Sequence, residues 1–320
     1  MFKKVLITGI SGFAGSHLAD YILRNKDYEI SGTYLSEESL RTVKDIQEKV
    51  NLVKVDLLDP KKTQELVDDI KPDLIFHLAA LTSPAESFKN PALTITNNIS
   101  AQVNLLEAVK NLELKNSRIL IVSSADVYGI VSQSDLPIKE DTKFNPDSPY
   151  GVSKIAQDFL GLQYFLSYKL NIIRVRSFNH IGPRQSPAFV VPSFSKKIAE
   201  IEKGKTEPVL FVGNLEPKRD LTDVRDIVAA YTLIIEKGKS GDVYNIGSGI
   251  SYQISDILAM LLSFAKVKIK IEKDPSLFRP SDIPEQRADI SKIKNLTGWS
   301  PSIPIETTLR ETLDYWRNII

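Results

Sequence analysis

The 320-residue sequence has no cysteine. That excludes disulfides, thiolate-bound metals and cysteine nucleophiles, and it fits a reducing compartment, so a cytoplasmic location is expected. No run approaches the roughly 18 apolar residues of a membrane-spanning helix. The opening MFKKVLITGI is interrupted by Gly9 and Ser11 too early to read as a signal peptide. A surplus of one charge is also missing: 41 Lys and Arg stand against 40 Asp and Glu. Without a basic surplus or stripe, neither a nucleic acid nor a membrane surface is an expected partner. Histidine is scarce, with three in all. No His/Asp/Glu cluster stands at ligand spacing, so no metal is expected.

What is present is an ordinary globular composition, 42% hydrophobic and 25% charged, long enough for a large core. Short apolar runs alternate with amphipathic stretches. Val5–Ile7, Tyr28–Tyr34, Leu52–Val55, Leu74–His77, Ile119–Ser123 and Ile172–Val175 read as buried strands. Gly15–Leu23, Thr63–Ile70, Ile99–Leu112 and Tyr150–Tyr168 read as helices between them. This order predicts an α/β fold with a Rossmann-type, doubly wound parallel sheet. After Ser177 prolines interrupt the rhythm, with one clear helix at Pro192–Lys203. Helix Asp226–Glu236 and strand Val243–Ile246 then return to the sheet. From Tyr252 onward two helices and a strand at Lys268–Glu272 are expected. The predicted division is a dinucleotide-binding domain at 1–177 and 222–250, with a smaller interleaved substrate domain at 178–221 and 251–320.

Gly9-Ile10-Ser11-Gly12-Phe13-Ala14-Gly15 follows the first strand and opens the first helix. Glycines at that spacing give a tight turn, let backbone approach a pyrophosphate, and aim a helix N-terminus at it. A dinucleotide site is therefore expected. The second strand ends Thr33-Tyr34-Leu35-Ser36, without the carboxylate that holds a ribose 2′-OH in NAD-specific sites. NADP is favoured on that ground, with NAD tolerated. Glu37 and Glu38 lie just beyond, and Arg41 and Lys44 further on. Asp56-Leu57, after the third strand, reads equally as an adenine contact or a solvated turn.

Tyr150 and Lys154 stand four residues apart on one helix face. A neighbouring ammonium favours phenolate and lowers a tyrosine's pKa, which makes it a usable proton donor and acceptor. Ser124 closes a strand whose C-terminal end faces the ligand crevice of an open α/β sheet. These three residues suit a carbonyl or alcohol site beside a nicotinamide.

The segments TGISGFAG, HLAA (77–80), SSADVYG (123–129) and YGVSK (150–154) resemble the extended short-chain dehydrogenase/reductase family, and the likeness runs from residue 2 to about 316. The resemblance implies that Ser124 and Tyr150 hold a sugar C4 oxygen, while Lys154 holds the nicotinamide ribose and tunes the tyrosine. It also implies cofactor contacts from Thr33, Leu78, Ala79, Ala80 and Phe178, and a homodimer formed through Ile99–Leu112 and Tyr150–Tyr168. Three branches compete. Dehydratases carry an Asp-Glu or Ser-Glu pair where this chain has Ala125-Asp126; epimerases favour an acid at the end of the second strand. The stretches 176–194, 212–226 and 277–284 resemble the GDP-6-deoxy-4-keto-mannose reductases, which form GDP-rhamnose. That likeness implies a nucleotide-sugar substrate contacted by Asp126, Asn179, Val190, Lys196 or Lys197, Arg219, Arg279 and Asp282. Surface pairing of Arg219 with Asp220 or Asp223, and of Arg279 with Asp282, is the alternative for the arginines. His17 and His77 read as structural, and His180 as shaping the nicotinamide pocket. A reductase is the expected activity; a dehydratase, an epimerase or a non-catalytic NADP-binding scaffold are the rivals.

Overall fold

The computed structural model describes residues 3–278 and 283–320. The first half of the chain alternates β1 (Lys3–Thr8), α1 (Phe13–Asn25), β2 (Tyr28–Tyr34), β3 (Asn51–Lys54), α2 (Pro60–Ile70) and β4 (Leu74–His77). It continues through α3 (Pro84–Lys89), α4 (Pro91–Asn111), β5 (Arg118–Ser124), α5 (Pro149–Tyr168) and β6 (Asn171–Ser177). The second half holds β7 (Asn179–Ile181), α6 (Val190–Glu202), β8 (Val209–Val212), β9 (Lys218–Asp223), α7 (Val224–Lys237) and β10 (Val243–Ile246). It ends with β11 (Ser251–Gln253), α8 (Ile254–Ser263), β12 (Lys270–Lys273), β13 (Glu285–Gln286), α9 (Ser291–Thr297) and α10 (Ile305–Ile319).

Seven parallel strands form the central sheet in the order β10-β6-β5-β4-β1-β2-β3. The chain winds outward in both directions from β1 and β4, so the crevice between those strands is the switch point where open α/β sheets take ligands. Both faces are covered, which is why the strands are apolar throughout. On one face Leu18, Ile22, Ile227 and Tyr231 pack from α1 and α7. On the other, Val67, Leu105, Val109 and Tyr164 pack from α2, α4 and α5. A separate core joins α6, α8 and α10 through Phe194, Ile198, Leu261, Leu309 and Trp316. Among the described residues no helix is long and apolar enough to cross a membrane.

Two expectations about elements are corrected. The helix placed at Ile99–Leu112 begins at Pro91, because its first two turns are polar and half-exposed and give no apolar periodicity. Proline at the first helical position is the start signal there, as at Pro60, Pro84 and Pro149. At those three helices Asp59, Ser83 and Ser148 also cap the N-terminus with a side-chain oxygen. Among its described residues the tail holds three helices, since the seven-residue α9 is too short to show a period. Outside the central sheet β7, β9, β11 and β13 form a small sheet, with β8 and β12 a further pair. Of these, β7, β11 and β13 span only two or three residues, below the length at which alternation is readable, while β12 lies where the strand at Lys268–Glu272 is expected.

One buried carboxylate ties α5 to the sheet. Asp158 accepts from Arg174 Nη1 at 2.6 Å and from Arg176 Nε at 2.8 Å, with all three side chains buried. Arg176 also donates to the Tyr128 hydroxyl and to Glu140 O. Replacing Asp158 with Ala leaves two buried guanidiniums without a counter-charge, which costs about 3–5 kcal/mol. Urea unfolding of Asp158→Ala should show a loss of that size; a change below about 1 kcal/mol would contradict the role assigned to this pair.

Candidate active site

The turn after β1 is held from three sides. Gly9 adopts φ +72°, its N–H donates to Thr33 Oγ1 at 3.0 Å, and Ile10 N–H donates to Thr33 O at 3.0 Å. A Cβ on Gly15 would stand 2.3 Å from Gly9 O, and one on Gly9 would press on Ala79 Cα at 3.1 Å. The turn thus lies flat against β2 and the segment after β4. Gly12 caps α1 without a side-chain bond, so the first-turn N–H groups remain available to a ligand. Gly9 and Ser11 through Gly15 line a cavity of about 770 Å³ between the central sheet and the α6/β9/α10 side of the molecule. Glycines in the floor and a bare helix N-terminus suit a dinucleotide pyrophosphate.

Ser124, Tyr150 and Lys154 meet on the wall of the same cavity. Tyr150 lies in the first turn of α5, and its N–H donates to Ser87 Oγ of α3 at 3.1 Å. One turn on, Lys154 donates Nζ to Val122 O of β5 at 2.9 Å and to Gln157 Oε1 at 2.8 Å. Gln157 in turn donates to Asn98 O of α4 at 3.0 Å. These bonds fix where the ammonium stands, and its Nζ lies 5.9 Å from the Tyr150 ring centre.

Electrostatics depart from the expectation that Lys154 lowers the tyrosine. Burial pushes the Tyr150 phenol well above its ordinary value, and the nearby Asp126 carboxylate adds to that, while a hydrogen bond with the Ser124 hydroxyl pulls the other way. Burial also lowers the Lys154 ammonium to about 7. Desolvation disfavours both charged forms at once. Tyr150 therefore holds its proton at neutral pH and is a donor to an oxyanion formed beside it. Asp126 N–H donates to Ser124 Oγ at 3.1 Å, orienting that hydroxyl.

Of the remaining expected cofactor residues, Leu78, Ala80 and Phe178 line the cavity, while Ala79 backs Gly9. Thr33 lies beneath the turn, 2% exposed, and supports the loop without reaching the cavity. Leu57 is buried in the core under α2, and Asp56 caps its own turn by accepting from Leu58 N–H at 2.9 Å. On the substrate side Asp126, Asn179, Val190 and Arg219 all line the cavity. Arg219 donates to Ile283 O at 2.6 Å. Lys196 and Lys197 do not reach it. Both face Glu200 on the same helix, at 3.7 and 4.0 Å, because α6 presents Val190, Val191, Ser193 and Phe194 to the cavity. Arg279 and Asp282 lie outside the described residues. Among the described residues no group of three His, Cys, Asp or Glu could hold a metal.

The histidines are neutral. Thr8 Oγ1 accepts from Leu78 and Ala79 N–H, so its hydroxyl donates to His77 Nδ1 at 2.9 Å. Burial, then Lys154, lowers His77 to about 3. His180 lines the cavity stacked on Phe13, with ring centres 5.7 Å apart.

Several cavity residues had no sequence signal. Tyr231 of α7 is fully buried, shares a 2.7 Å bond with Ser177 Oγ and lines the cavity. In the sequence it is one more apolar position of an amphipathic helix. Gln286 donates to Asp126 Oδ1 at 3.4 Å from 160 residues away. Such a pairing is invisible without the fold.

The family described as GDP-mannose 4,6 dehydratase matches residues 6–312. The GDP-6-deoxy-D-mannose reductase of Pseudomonas aeruginosa is 33% identical over 318 residues, covering 99% of this chain and 98% of that protein. A GDP-mannose 4,6-dehydratase of Vibrio cholerae is 29% identical, covering 97% and 93%. Among solved structures, RMD from Pseudomonas aeruginosa complexed with NADPH superposes with a TM-score of 0.86 at 32% identity, covering 99% and 100%. The Thermus thermophilus UDP-glucose 4-epimerase in complex with NAD gives 0.87 at 26%, with the same coverage.

The Lys154 assignment is directly measurable. In protein with isotope-labelled lysine side chains, one ammonium should lose its proton near pH 7, staying charged below and neutral above. That resonance should vanish in Lys154→Met. If every lysine titrated near its ordinary value, the buried ammonium described here would be wrong.

Proposed function

The chain belongs to the extended short-chain dehydrogenase/reductase family, in its GDP-mannose-dehydratase-like group, and from that premise we propose that it is an NADPH-dependent reductase of the C4 ketone of GDP-4-keto-6-deoxy-D-mannose, forming GDP-6-deoxy-D-mannose (GDP-D-rhamnose). The observation that carries the reading is Tyr150 beside Ser124 and Lys154, in one cavity with the glycine turn. When bound, the nicotinamide supplies a hydride to C4. Ser124 holds the C4 oxygen, and Tyr150 gives its proton to the alkoxide as it forms. Lys154 holds the nicotinamide ribose and, when charged, offsets the negative charge that passes to the phenol.

Reduction is favoured over dehydration by the two residues next to Ser124. Dehydration needs a group that removes one proton and another that expels a hydroxyl. Ala125 has no such group and is fully buried, and Asp126 is held by Gln286. Residues 178–221 and 251–320 are proposed to form the nucleotide-sugar lobe, with Asn179, Val190 and Arg219 bordering the ligand. Arg219 would reach the diphosphate, since a guanidinium can bond two oxygens in one plane. Two copies are proposed to pair through α4 and α5, where Leu93, Val152, Phe159 and Leu166 are exposed. The reading carries with it a cytoplasmic setting.

Incubation with NADPH and either GDP-mannose or its 4-keto-6-deoxy derivative, with NADPH absorbance recorded, tests the reaction. Cofactor oxidation only with the keto sugar is expected, and Tyr150→Phe should lower turnover about 10²–10⁴-fold with nearly unchanged cofactor affinity. Conversion of GDP-mannose without net oxidation, or wild-type turnover in Tyr150→Phe, would contradict the proposal.

A further inference from the structure

A ladder of buried carboxamides joins α4 to α5 behind Lys154. Gln157 is 1% exposed and stands between two groups of fixed sense. An ammonium can only donate and a backbone carbonyl can only accept. Gln157 must therefore turn Oε1 to Lys154 Nζ, at 2.8 Å, and Nε2 to Asn98 O, at 3.0 Å. Its own backbone carbonyl accepts from Gln102 Nε2 at 2.8 Å. Asn98 is fixed in turn. Its Nδ2 donates to Ser153 Oγ and Leu81 O, each at 3.0 Å, and its Oδ1 accepts from Leu81 N–H at 2.7 Å. Rotating the Gln157 amide would break bonds to both neighbours.

The nitrogen of Lys154 has four tetrahedral positions. One is its own Cε, one points to Val122 O at 2.9 Å, and one points to Gln157 Oε1. The fourth is left to the cavity that Lys154 lines. An amine still has two N–H bonds, so both acceptors stay satisfied whether the nitrogen is charged or neutral. The titratable neighbours are the Tyr150 phenol one turn back on α5, whose proton burial and Asp126 hold, and His77 at the end of β4, lowered to about 3 and so neutral. From α4 come the uncharged Asn98 and Gln102. Gln157 thus supports the ammonium without countering its charge, and burial brings the nitrogen to about 7. A carboxylate in the same place would hold the proton through the neutral range.

We propose that Gln157 is a positioning residue for Lys154: with Val122 O it occupies two of the three Nζ protons, so the exchangeable one faces the ligand cavity, and as a neutral acceptor it leaves that proton free to come and go. An oxygen bound at that position meets a donor when the nitrogen is charged and an acceptor when it is neutral. The inference rests on the reading of Tyr150 and Lys154 as the proton-handling pair, but not on which sugar is reduced.

Two substitutions of similar size test it. The titration of Lys154 is followed on isotope-labelled lysine side chains without substrate, and kcat/KM for the keto sugar is followed against pH. Gln157→Glu places a carboxylate beside the ammonium and should raise the Lys154 midpoint by about 1–3 pH units. Gln157→Met removes the acceptor and should lower the midpoint by about one unit or more, as loss of a hydrogen bond to a charged group does. The ammonium is present below its midpoint and lost above it. The pH above which kcat/KM falls should therefore move up in Gln157→Glu and down in Gln157→Met, with most of the change in kcat. A purely structural role has no reason to give opposite signs. If Gln157→Glu does not fold, because its carboxylate meets Asn98 O, the downward shift in Gln157→Met decides. A midpoint that stays in place, or moves the same way in both variants, overturns the positioning role. A midpoint that moves while the fall in kcat/KM stays put overturns its link to turnover. Opposite shifts in a protein that turns over no keto sugar support the role of Gln157 and count against the reductase reading alone.

Discussion

The site depends on a lysine taken out of water. Lys154 is 4% exposed, and its place at the carboxyl end of β5 is fixed by Val122 O and Gln157 Oε1. Holding it there engages α4 through Asn98 and α5 along its first two turns. Burial moves this ammonium down to about 7 and the phenol beside it up. The pair therefore rests in its less charged forms. Negative charge arriving in the crevice favours the ammonium and, through it, transfer of the phenolic proton. A donor that keeps its proton until an oxyanion forms is what carbonyl reduction requires.

Near-neutral composition and anionic ligands are reconciled by placement. The positive potential comes from a bare helix N-terminus at Gly12–Gly15 and from Arg41 and Arg219, which line the same cavity. Arg184 pairs with Asp20, and Arg174 and Arg176 with Asp158. The interleaved topology is what brings the walls together. The chain leaves the sheet after β6, builds β7 to β9, and returns through α7, so that Tyr231 and Ser177 share the cavity with Asn179 and Arg219.

Legibility follows locality. The glycine turn, the six sheet strands before residue 178 and the Tyr150/Lys154 spacing each depend on residues within a few positions, and each is readable. The doubly wound sheet follows from their order. Lys196 and Lys197 are misplaced by sequence because a two-residue offset on a helix decides which face meets the cavity, and the apolar run Val190–Phe194 takes that face. The resemblance puts Thr33 at the cofactor, whereas its hydroxyl is consumed by Gly9 N–H. Spacing ties the tuning of Tyr150 to one neighbour; burial, which needs the whole fold, reverses its sign. The ties of Arg184 to Thr42 and of Gln286 to Asp126 join distant segments and have no local mark.

The central claim is that hydride passes from a dissociable cofactor to C4 of the sugar, with Tyr150 supplying the proton. NADPH carrying deuterium in the transferable position, given with GDP-4-keto-6-deoxy-D-mannose, tests this most directly. The account predicts one deuterium at C4 of the product for each NADPH oxidised, and a product hydroxyl proton drawn from solvent. Product without deuterium at C4, or sugar converted with the cofactor unchanged, would contradict it.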